Sequence, residues 1–220
     1  MAFMIIAIDG PAGAGKGTLA SHLANIYHLS HLDTGLLYRA VAFKMLQAGI
    51  KAEERQEAFK VASSLKPEDL NNSSLRDESV GNLASEISVY PEVRDSLLKF
   101  QQDVAKETSS NTRGAILDGR DIGLVVLPDA PCKIFVTASP EVRAKRRLKE
   151  LHEKGIDSIY ETILEDIKMR DARDRNREVS PLRPANDAFI LDTSELGINE
   201  VIEKACLFVD SRYPQVKKQV

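Results

Sequence analysis

Short apolar runs alternate with longer stretches of helical periodicity along most of this chain. Most of these runs are followed by a turn and then by a helix-like segment, which is the pattern of parallel strands under covering helices. The run at 132–138, C-K-I-F-V-T-A, is β-branched and mostly apolar, as expected for a strand buried on both faces. We therefore predict an α/β fold with strands at about 3–9, 31–33, 115–118, 132–138 and 188–192.

Helix-like segments fill most of the intervals between these strands. We predict helices at about 16–27, 35–48, 92–108, 140–154, 159–177 and 198–212. Pro91 and Pro140 stand where a first helical turn accepts proline, and Asp157 or Ser158 is placed to cap the helix that follows. The interval 51–90 has a polar turn and scattered charges but no strong strand signal, so we predict a helical insertion there.

Size and composition exclude several classes of protein. The chain has 220 residues, enough for one domain with an insertion, and its net charge of -3 argues against an extended nucleic-acid-binding surface. No apolar run approaches the length of a membrane span. Cys132 and Cys206 lack the spacing of a metal site or redox pair, so we expect both to be reduced and buried. These features favour a cytoplasmic protein.

The strongest chemical signal is a glycine-rich loop between the first strand and the first helix. Residues 5–18 read I-I-A-I-D-G-P-A-G-A-G-K-G-T, and residues 10–18 are called the phosphate loop below. Its glycines allow successive N–H groups to face one anion, while Lys16 and the helix N-terminus add positive charge. A glycine-rich turn with an unrelated lysine is the alternative, but the order of strand, glycines, lysine and helix favours phosphate binding. Gly17 separates Lys16 from Thr18, which displaces the hydroxyl that usually meets magnesium.

Two further motifs lie at predicted strand ends, where ligands of such sheets bind. The first is Asp33-Thr34-Gly35 followed by Tyr38-Arg39, for which a plain helix cap with a solvated arginine is an equally good reading. The second is D-G-R-D at 118–121, where a β-hairpin turn is the alternative. In a site, its arginine could neutralise phosphate and its last aspartate could accept a hydrogen bond from a base.

An arginine-dense helix supplies the last candidate group. Residues 168–177 read K-M-R-D-A-R-D-R-N-R, and helical spacing places Arg170, Arg173, Asp174 and Arg177 on one face. A solvated, salt-bridged helix is the usual reading of such a run, although the arginine fork suits phosphate.

The preceding helix carries three more arginines. Arg143, Arg146 and Arg147 could serve similarly, although surface pairing with Glu150 explains them equally well. Because no persuasive serine or histidine nucleophile occurs, these groups fit phosphoryl transfer to an acceptor that is already ionised, such as a phosphate monoester. Arginines on a lid would neutralise the two charged groups and exclude water.

These motifs together resemble the bacterial-type cytidylate kinases, within the nucleoside monophosphate kinases. The resemblance rests on I-D-G-P-A-G-A-G-K-G-T, L-D-T-G-L-L-Y-R, D-G-R-D-I-G with V-V-L-P-D-A-P-C-K-I-F, and R-D-A-R-D-R-N-R, and it spans nearly the whole chain. It implies one P-loop kinase domain over 1–220, a three-layer α/β fold with a parallel five-stranded sheet. It also implies a monophosphate-binding insertion at about 51–90 and an arginine-rich lid at about 154–178.

The same resemblance implies ATP-dependent phosphorylation of CMP and dCMP. Mg²⁺ would be held mainly by the nucleotide phosphates, with Thr18 the one candidate protein ligand. We expect a monomer with small-molecule partners and no nucleic-acid or membrane partner. Kinases of UMP, AMP or a hydroxyl-bearing metabolite are the nearest alternatives, and a nucleotide-regulated switch is a more distant one.

The family's site residues carry over by position onto this chain. The ATP phosphates would be bound by Gly10, Pro11, Ala12, Gly13, Ala14, Gly15, Lys16, Gly17 and Thr18. The cytosine would be surrounded by Thr34, Ser85, Arg94 and Asp121, and the acceptor phosphate by Arg39, Arg120 and Arg177. Asp174 would contact the sugar, and Arg170 the phosphates under a closed lid. The catalytic residues would therefore be Lys16, Arg120, Arg170 and Arg177.

The chain departs from the family pattern at three places. Thr34 stands where many relatives have serine, and Ala172 replaces a frequent acidic residue. The insertion is shorter than in longer members, and the strands that those members carry there are hard to find in this sequence.

Overall fold

A five-stranded sheet forms the centre of the computed structural model, which describes residues 3–106 and 112–216. The strands are β1 (Met4–Asp9), β2 (Ser30–Asp33), β3 (Gly114–Gly119), β4 (Cys132–Thr137) and β5 (Phe189–Asp192). Their order is β2-β3-β1-β4-β5; β1 pairs in parallel with β3 and β4, and β4 with β5. The predicted α/β fold with a five-stranded parallel sheet is confirmed.

The helices follow the predicted intervals closely. They are α1 (Lys16–Tyr27), α2 (Gly35–Gln47), α3 (Arg55–Ser63), α4 (Glu78–Ile87), α5 (Pro91–Lys106), α6 (Pro140–Glu153), α7 (Tyr160–Arg175) and α8 (Ile198–Arg212). Two short 3₁₀ helices, Pro67–Asn71 and Ser73–Arg76, precede α4, and a π-helical turn spans Ile122–Val126. The predicted end of α5 at 107–108 lies outside the described residues.

Two local predictions about turns and caps are settled by these bounds. The chain leaves β3 into the π-helical turn, so the hairpin alternative at 118–121 is wrong. Pro91 and Pro140 are the first residues of their helices, and the Ser139 hydroxyl caps α6 by accepting from the Val142 N–H at 3.2 Å. The predicted cap by Asp157 or Ser158 is wrong, because α7 begins one residue later, after Ile159.

The described residues divide into two compact units. The first contains the residues up to His31 and from Ala105 onward, and the second contains Leu32–Val104. The apolar core of the first unit packs β1 and β4 against α1 and α8, and its fully buried side chains include Ile6, Leu23 and Ile134. The Tyr213 hydroxyl ties α8 to β1, because it donates to the Ile5 carbonyl at 2.8 Å and accepts from the Ile5 N–H at 2.9 Å.

The two cysteines belong to this core. Both Cys132 and Cys206 are buried and neither is in a disulfide, as predicted. Burial raises the pKa of the Cys132 thiol to about 12, so the thiol stays protonated at neutral pH.

The second unit is built from helices. It contains α2, α3, α4, most of α5 and the two 3₁₀ helices, and α2 packs against both α3 and α4. The structure describes all of residues 51–90, and every regular element there is helical, as the sequence pattern indicates. In the described part of the chain, no helix has the length and apolar character needed to cross a membrane.

Candidate active site

The phosphate loop runs from the end of β1 to the start of α1 and depends on glycine backbone geometry. Gly13 and Gly15 have φ angles of 75° and 92°, in the left-handed region that side chains disfavour. A Cβ on Gly10 would lie 2.0 Å from the carbonyl oxygen of Val136 on the neighbouring strand β4. The loop therefore lies tightly against the sheet and requires glycine at these positions.

Side chains bind three carbonyl groups of the phosphate loop. Lys16 Nζ donates to the Pro11 oxygen at 2.9 Å, and Arg143 Nη1 donates to the Ala12 oxygen at 3.2 Å. The Thr193 hydroxyl lies 3.3 Å from the Ala14 oxygen. In a trans peptide the C=O and the following N–H point in opposite directions. Each following N–H group, at residues 12, 13 and 15, therefore points away from the side chain that contacts the carbonyl oxygen of its own peptide, and none of these three carbonyls is left to face the N–H side.

Asp9 connects this loop to the next strand end. Its two carboxylate oxygens accept hydrogen bonds from the N–H groups of Ile122 at 2.7 Å and Gly123 at 2.8 Å. Burial raises the pKa of Asp9 to about 6, although the two backbone hydrogen bonds oppose this shift. The sequence analysis missed Asp9, because its partners lie more than a hundred residues away along the chain.

The strand register places the second motif directly beside the first. Asp9 is paired with Gly119 across β1 and β3, so the residues after each strand, Gly10 and Arg120, begin at the same edge of the sheet. Asp121 follows and is buried, directly before the π-helical turn whose first two N–H groups bind Asp9. The D-G-R-D motif and the phosphate loop therefore share the carboxyl edge of the sheet, where such folds bind ligands.

An arginine and aspartate cluster links this edge to helix α7. Arg120 Nε donates to Asp174 Oδ2 at 2.9 Å, and Arg177 Nη1 lies 4.0 Å from Asp174 Oδ1. Burial by itself would raise the pKa of Asp174, but the charges of Arg120, Arg177 and Arg170 outweigh it and hold that pKa below its usual range. The structure thus brings together Arg120, Arg170, Asp174 and Arg177, four of the residues that the sequence analysis selected.

Helix α7 is not the solvated helix that the charge run permitted. Asp171, Asp174 and Arg177 are all buried. On the preceding helix α6, only Arg147 makes the surface pair with Glu150, at 3.0 Å. Arg143 is instead buried against Asp171, a contact that the sequence analysis did not identify.

Arg146 of α6 also binds within the first unit. Its two terminal nitrogens donate to the hydroxyl and carbonyl oxygens of Thr193, at 3.0 and 2.6 Å. Spacing along α6 does not reveal this partner, because Thr193 follows the distant strand β5.

His31 and Asp118 form a pair that sequence reasoning also missed. His31 Nε2 lies 2.8 Å from Asp118 Oδ1, at the ends of β2 and β3. The other carboxylate oxygen of Asp118 lies 4.0 Å from the position that a Cβ on Gly17 would take. Gly17, the residue after Lys16, therefore lies close to Asp118 at the start of α1.

The second unit holds the remaining predicted residues. Arg39 Nη1 donates to the carbonyl oxygens of Leu75 at 2.7 Å and Asp77 at 3.3 Å. A Cβ on Gly81 would lie only 2.7 Å from Arg39 Nη2, so the absence of a side chain in α4 makes room for this guanidinium. Arg39 is thus held by backbone groups rather than solvated, which answers the alternative raised by the sequence.

Thr34, Ser85 and Arg94 are buried in the same unit. Arg94 Nη1 donates to the Ser88 oxygen at 3.1 Å, and its guanidinium carbon lies 5.5 Å from the centre of the Tyr38 ring. Thr34 precedes α2, where Asp33 Oδ1 accepts from the Gly35 N–H at 3.0 Å. This unit therefore presents two arginines fixed by backbone carbonyls and two buried hydroxyl-bearing residues.

A protein metal centre is not evident in residues 3–106 and 112–216. No group of three or more histidine, cysteine, aspartate or glutamate side chains there could hold an ion. Thr18 is exposed on the first turn of α1.

Comparison with solved structures agrees with the fold. An uncharacterized protein from Eubacterium ventriosum ATCC 27560 superposes with a TM-score of 0.51 at 18% identity, covering 94% of this chain and 98% of that one. A sugar kinase from Janibacter sp. HTCC2649 superposes with a TM-score of 0.50 at 15% identity, covering 94% and 95%. At these identities the likeness concerns the fold alone.

Sequence comparison identifies the family. The family model described as cytidylate kinase matches residues 6–211. A cytidylate kinase from Paramagnetospirillum magneticum is 50% identical over 208 residues, 94% of this chain and 98% of that relative. A cytidylate kinase from Methylocella silvestris is 47% identical over 214 residues, 97% of each chain. With a phosphate loop and an arginine cluster at one sheet edge, and relatives this similar along almost its whole length, the chain belongs to the cytidylate kinase family.

Proposed function

We propose that this protein transfers the γ-phosphoryl group of ATP to CMP and dCMP, giving ADP with CDP or dCDP. The observation that carries the proposal is the shared strand edge: the phosphate loop follows β1, and Arg120 with its partners Asp174 and Arg177 follows the paired strand β3. A donor phosphate on the loop and an acceptor phosphate on the arginines are the two charged groups that phosphoryl transfer must bring together. Family membership supplies the cytidylate assignment.

The phosphate loop is the proposed donor site. Its N–H groups at residues 12, 13 and 15 point away from the side chains that hold the neighbouring carbonyls, and they would bind the phosphates of ATP. Lys16 is buried and donates to the Pro11 oxygen. On ATP binding it would exchange this neutral partner for phosphate oxygens, a charge-assisted and stronger interaction.

Mg²⁺ is the proposed cofactor. The donor set suits this ion, because Mg²⁺ keeps several waters and is commonly held by substrate phosphates with few protein ligands. The Thr18 hydroxyl at the start of α1 is the candidate protein ligand. Bound with ATP, the ion supplies neutralisation of the phosphate charge.

The acceptor phosphate is assigned to Arg39, Arg120 and Arg177. Arginine keeps its charge when water is excluded, and its planar fork matches phosphate oxygens. At neutral pH the second ionisation of a phosphate monoester, with a pKa of about 6, is largely complete, so the attacking oxygen needs no general base. Arg170 and Lys16 would stabilise the charge that develops on the transferred group.

The nucleoside is assigned to the remaining buried polar residues. Asp121 would accept from the exocyclic amine of cytosine, and Arg94 would donate to its ring nitrogen or carbonyl. Thr34 and Ser85 add hydroxyl groups, and Asp174 would contact the sugar. All five of these residues are buried.

Two segments are proposed to give the domain its substrate specificity and closure. Residues 51–90 would form the acceptor-binding insertion, and residues 154–178 would form the lid that excludes water during transfer. We further propose that the protein is cytoplasmic and acts as a monomer. Light scattering at assay concentrations tests the monomeric state.

An acceptor panel at fixed ATP and Mg²⁺ tests the proposed function. CMP and dCMP should be phosphorylated with kcat/KM at least about tenfold above that of UMP and about a hundredfold above that of AMP. Each buried polar group that the wrong base leaves without a hydrogen bond raises the free energy of the transition state by about 1–3 kcal/mol. Equal rates with UMP or AMP would contradict the base assignment. ATP hydrolysis of the same rate with and without CMP would instead favour a nucleotide-regulated switch.

A further inference from the structure

A buried ion pair lies behind the phosphate loop, on the helices α6 and α7. Arg143 of α6 is only 1% exposed and Asp171 of α7 only 4%. The pair is bidentate, with Arg143 Nη1 donating to Asp171 Oδ1 at 2.9 Å and Nη2 donating to Oδ2 at 2.6 Å. Charges of this kind are costly to bury unless all their hydrogen bonds are made.

Arg143 makes those hydrogen bonds to three different parts of the first unit. Besides Asp171 it reaches the Ala12 oxygen of the phosphate loop at 3.2 Å and, through Nε, the Ala138 oxygen after β4 at 2.9 Å. Its stem also packs against the loop, because a Cβ on Gly13 would lie 3.4 Å from Arg143 Cβ. One guanidinium therefore connects the loop, the end of β4 and helix α7.

The contact with Ala12 fixes a group of the donor site. Because the peptide that joins residues 12 and 13 is trans, holding its oxygen on the Arg143 side directs its N–H to the opposite side. Arg143 thus determines the direction of one of the N–H groups assigned to ATP.

The contact with Asp171 connects Arg143 to the arginine and aspartate cluster around Asp174. Asp171 follows Arg170 directly and lies one helical turn before Asp174, which binds Arg120. A shift of Asp171 along or away from α6 would therefore move Arg170 and Asp174 with it. Arg175 of α7 also lies 3.8 Å from Asp171, so this carboxylate has an arginine neighbour on each of the two helices.

The two helices also have apolar contacts away from the ion pair. A cluster formed by Ala144, Leu151 and Ile163, with Leu148 and Tyr160 at its edge, packs α6 against the first half of α7. Apolar contacts of this kind stabilise helix packing, whereas a buried ion pair seldom stabilises more than an apolar pair of similar size. The position of the charges, between the loop and the arginine cluster, requires another explanation.

We propose that Arg143 and Asp171 are positioning residues that couple the geometry of the phosphate loop to that of the arginine-bearing helix α7. The proposal rests on the proposed function for its substrates. Arg143 touches the loop directly, while Asp171 acts through α7, so the two residues should affect different steps. Loss of Arg143 should weaken ATP binding and slow transfer, whereas loss of the Asp171 charge should mainly slow transfer.

Four variants test this coupling: Asp171→Asn, Arg143→Lys, the double apolar variant Arg143→Met/Asp171→Leu, and the control Arg147→Gln. Arg147 is on the same helix, and its pair with Glu150 is exposed to solvent. For each variant, calorimetry measures affinity for a non-hydrolysable ATP analogue, steady-state kinetics measures kcat with CMP, and thermal unfolding reports the fold. The analogue affinity does not require turnover.

For Asp171→Asn we expect kcat to fall about tenfold while analogue affinity changes less than about threefold, because small displacements of positioned groups cost this much in rate. The double apolar variant should lose about tenfold in both quantities. Arg143→Lys keeps the charge but not the planar guanidinium, so it should also lower both kcat and analogue affinity. It replaces the double variant in this test if the double variant does not fold. Arg147→Gln should match the wild type.

Folded Asp171→Asn and Arg143→Lys proteins with wild-type kcat and analogue affinity would overturn the coupling. A wild-type protein that binds the analogue but does not phosphorylate CMP would overturn the proposed function instead. In that case the affinity of the Arg143 variants still decides whether Arg143 positions the loop.

Discussion

At the scale of single residues, several buried charged groups of this protein have more than one partner. Asp9 accepts two backbone hydrogen bonds, Asp174 lies among three arginines, and Arg143 makes four hydrogen bonds. Asp174 can be predicted from the sequence, because helical spacing places it on the same face as several arginines. It does not find Asp9 or separate Arg143 from Arg147, because their environments are created by segments distant in sequence.

The Asp9 carboxyl should make stability depend on pH. Its pKa in the folded protein, about 6, lies above its ordinary value of 3.8, so the folded state binds the proton more tightly. The contribution of Asp9 to the free energy of unfolding is therefore fully present below about pH 4. It decreases as the pH rises toward 6, and above pH 6 it no longer changes. The loss is on the order of 3 kcal/mol.

Asp9→Asn removes this titration. Chemical denaturation of the wild type and the variant between pH 4 and 7 should show a stability difference that changes with pH in this window. Other groups that titrate in this window do so in both proteins and cancel in the difference. A difference that stays constant from pH 4 to 7 would contradict the raised pKa of Asp9.

Gly81 should matter for the acceptor and not for the donor. In Gly81→Ala the new methyl group would lie 2.7 Å from Arg39 Nη2, and the flexible guanidinium must move away from the Leu75 oxygen. Because only a side-chain end moves, the fold should persist. We expect KM for CMP to rise about tenfold, as for a displaced charge-assisted contact, with KM for ATP unchanged.

The neighbouring exposed residue on α4 provides the control for this variant. Asn82→Ala should leave both KM values at their wild-type levels. Wild-type KM for CMP in Gly81→Ala would mean that the position of Arg39 is not important for acceptor binding.

At the scale of elements, hydrophobic periodicity was sufficient to predict strands, most helices and their order. Apart from β2, which reads S-H-L-D, the strands are mostly apolar runs, and several helices have proline or glycine at their starts. The cap of α7 was predicted wrongly: Asp157 or Ser158 was expected to cap it, whereas the helix follows Ile159, which makes no side-chain cap. Tertiary packing of α6 on α7 overrides the local signal there.

The two candidate capping serines test this distinction. Ser139→Ala removes the hydroxyl that accepts from the Val142 N–H at the start of α6, and it should lower the free energy of unfolding by about 1 kcal/mol. Ser158→Ala, at the position expected from sequence to cap α7, should leave stability within about 0.5 kcal/mol of the wild type. Denaturant titration of both variants measures the effect. Equal losses would contradict the assignment of the caps.

At the scale of the whole molecule, the sequence predicts more of the function than of the supporting contacts. The phosphate loop, D-G-R-D and the arginine-dense helix are local motifs, and strand order places the first two at one edge of the sheet. The residues that orient them, Asp9, Arg143, Asp171 and Thr193, come from separate parts of the chain. Their roles depend on three-dimensional packing, which no single segment of the sequence contains.

Transfer of labelled phosphate tests the central claim most directly. The protein is mixed with Mg²⁺, CMP and ATP labelled at the γ-phosphate, and the label is followed into CDP and into inorganic phosphate. The account predicts that the label appears in CDP and that Lys16→Ala lowers this rate by at least about a hundredfold without unfolding the protein. Label that enters inorganic phosphate at the same rate with or without CMP, and never CDP, would contradict it.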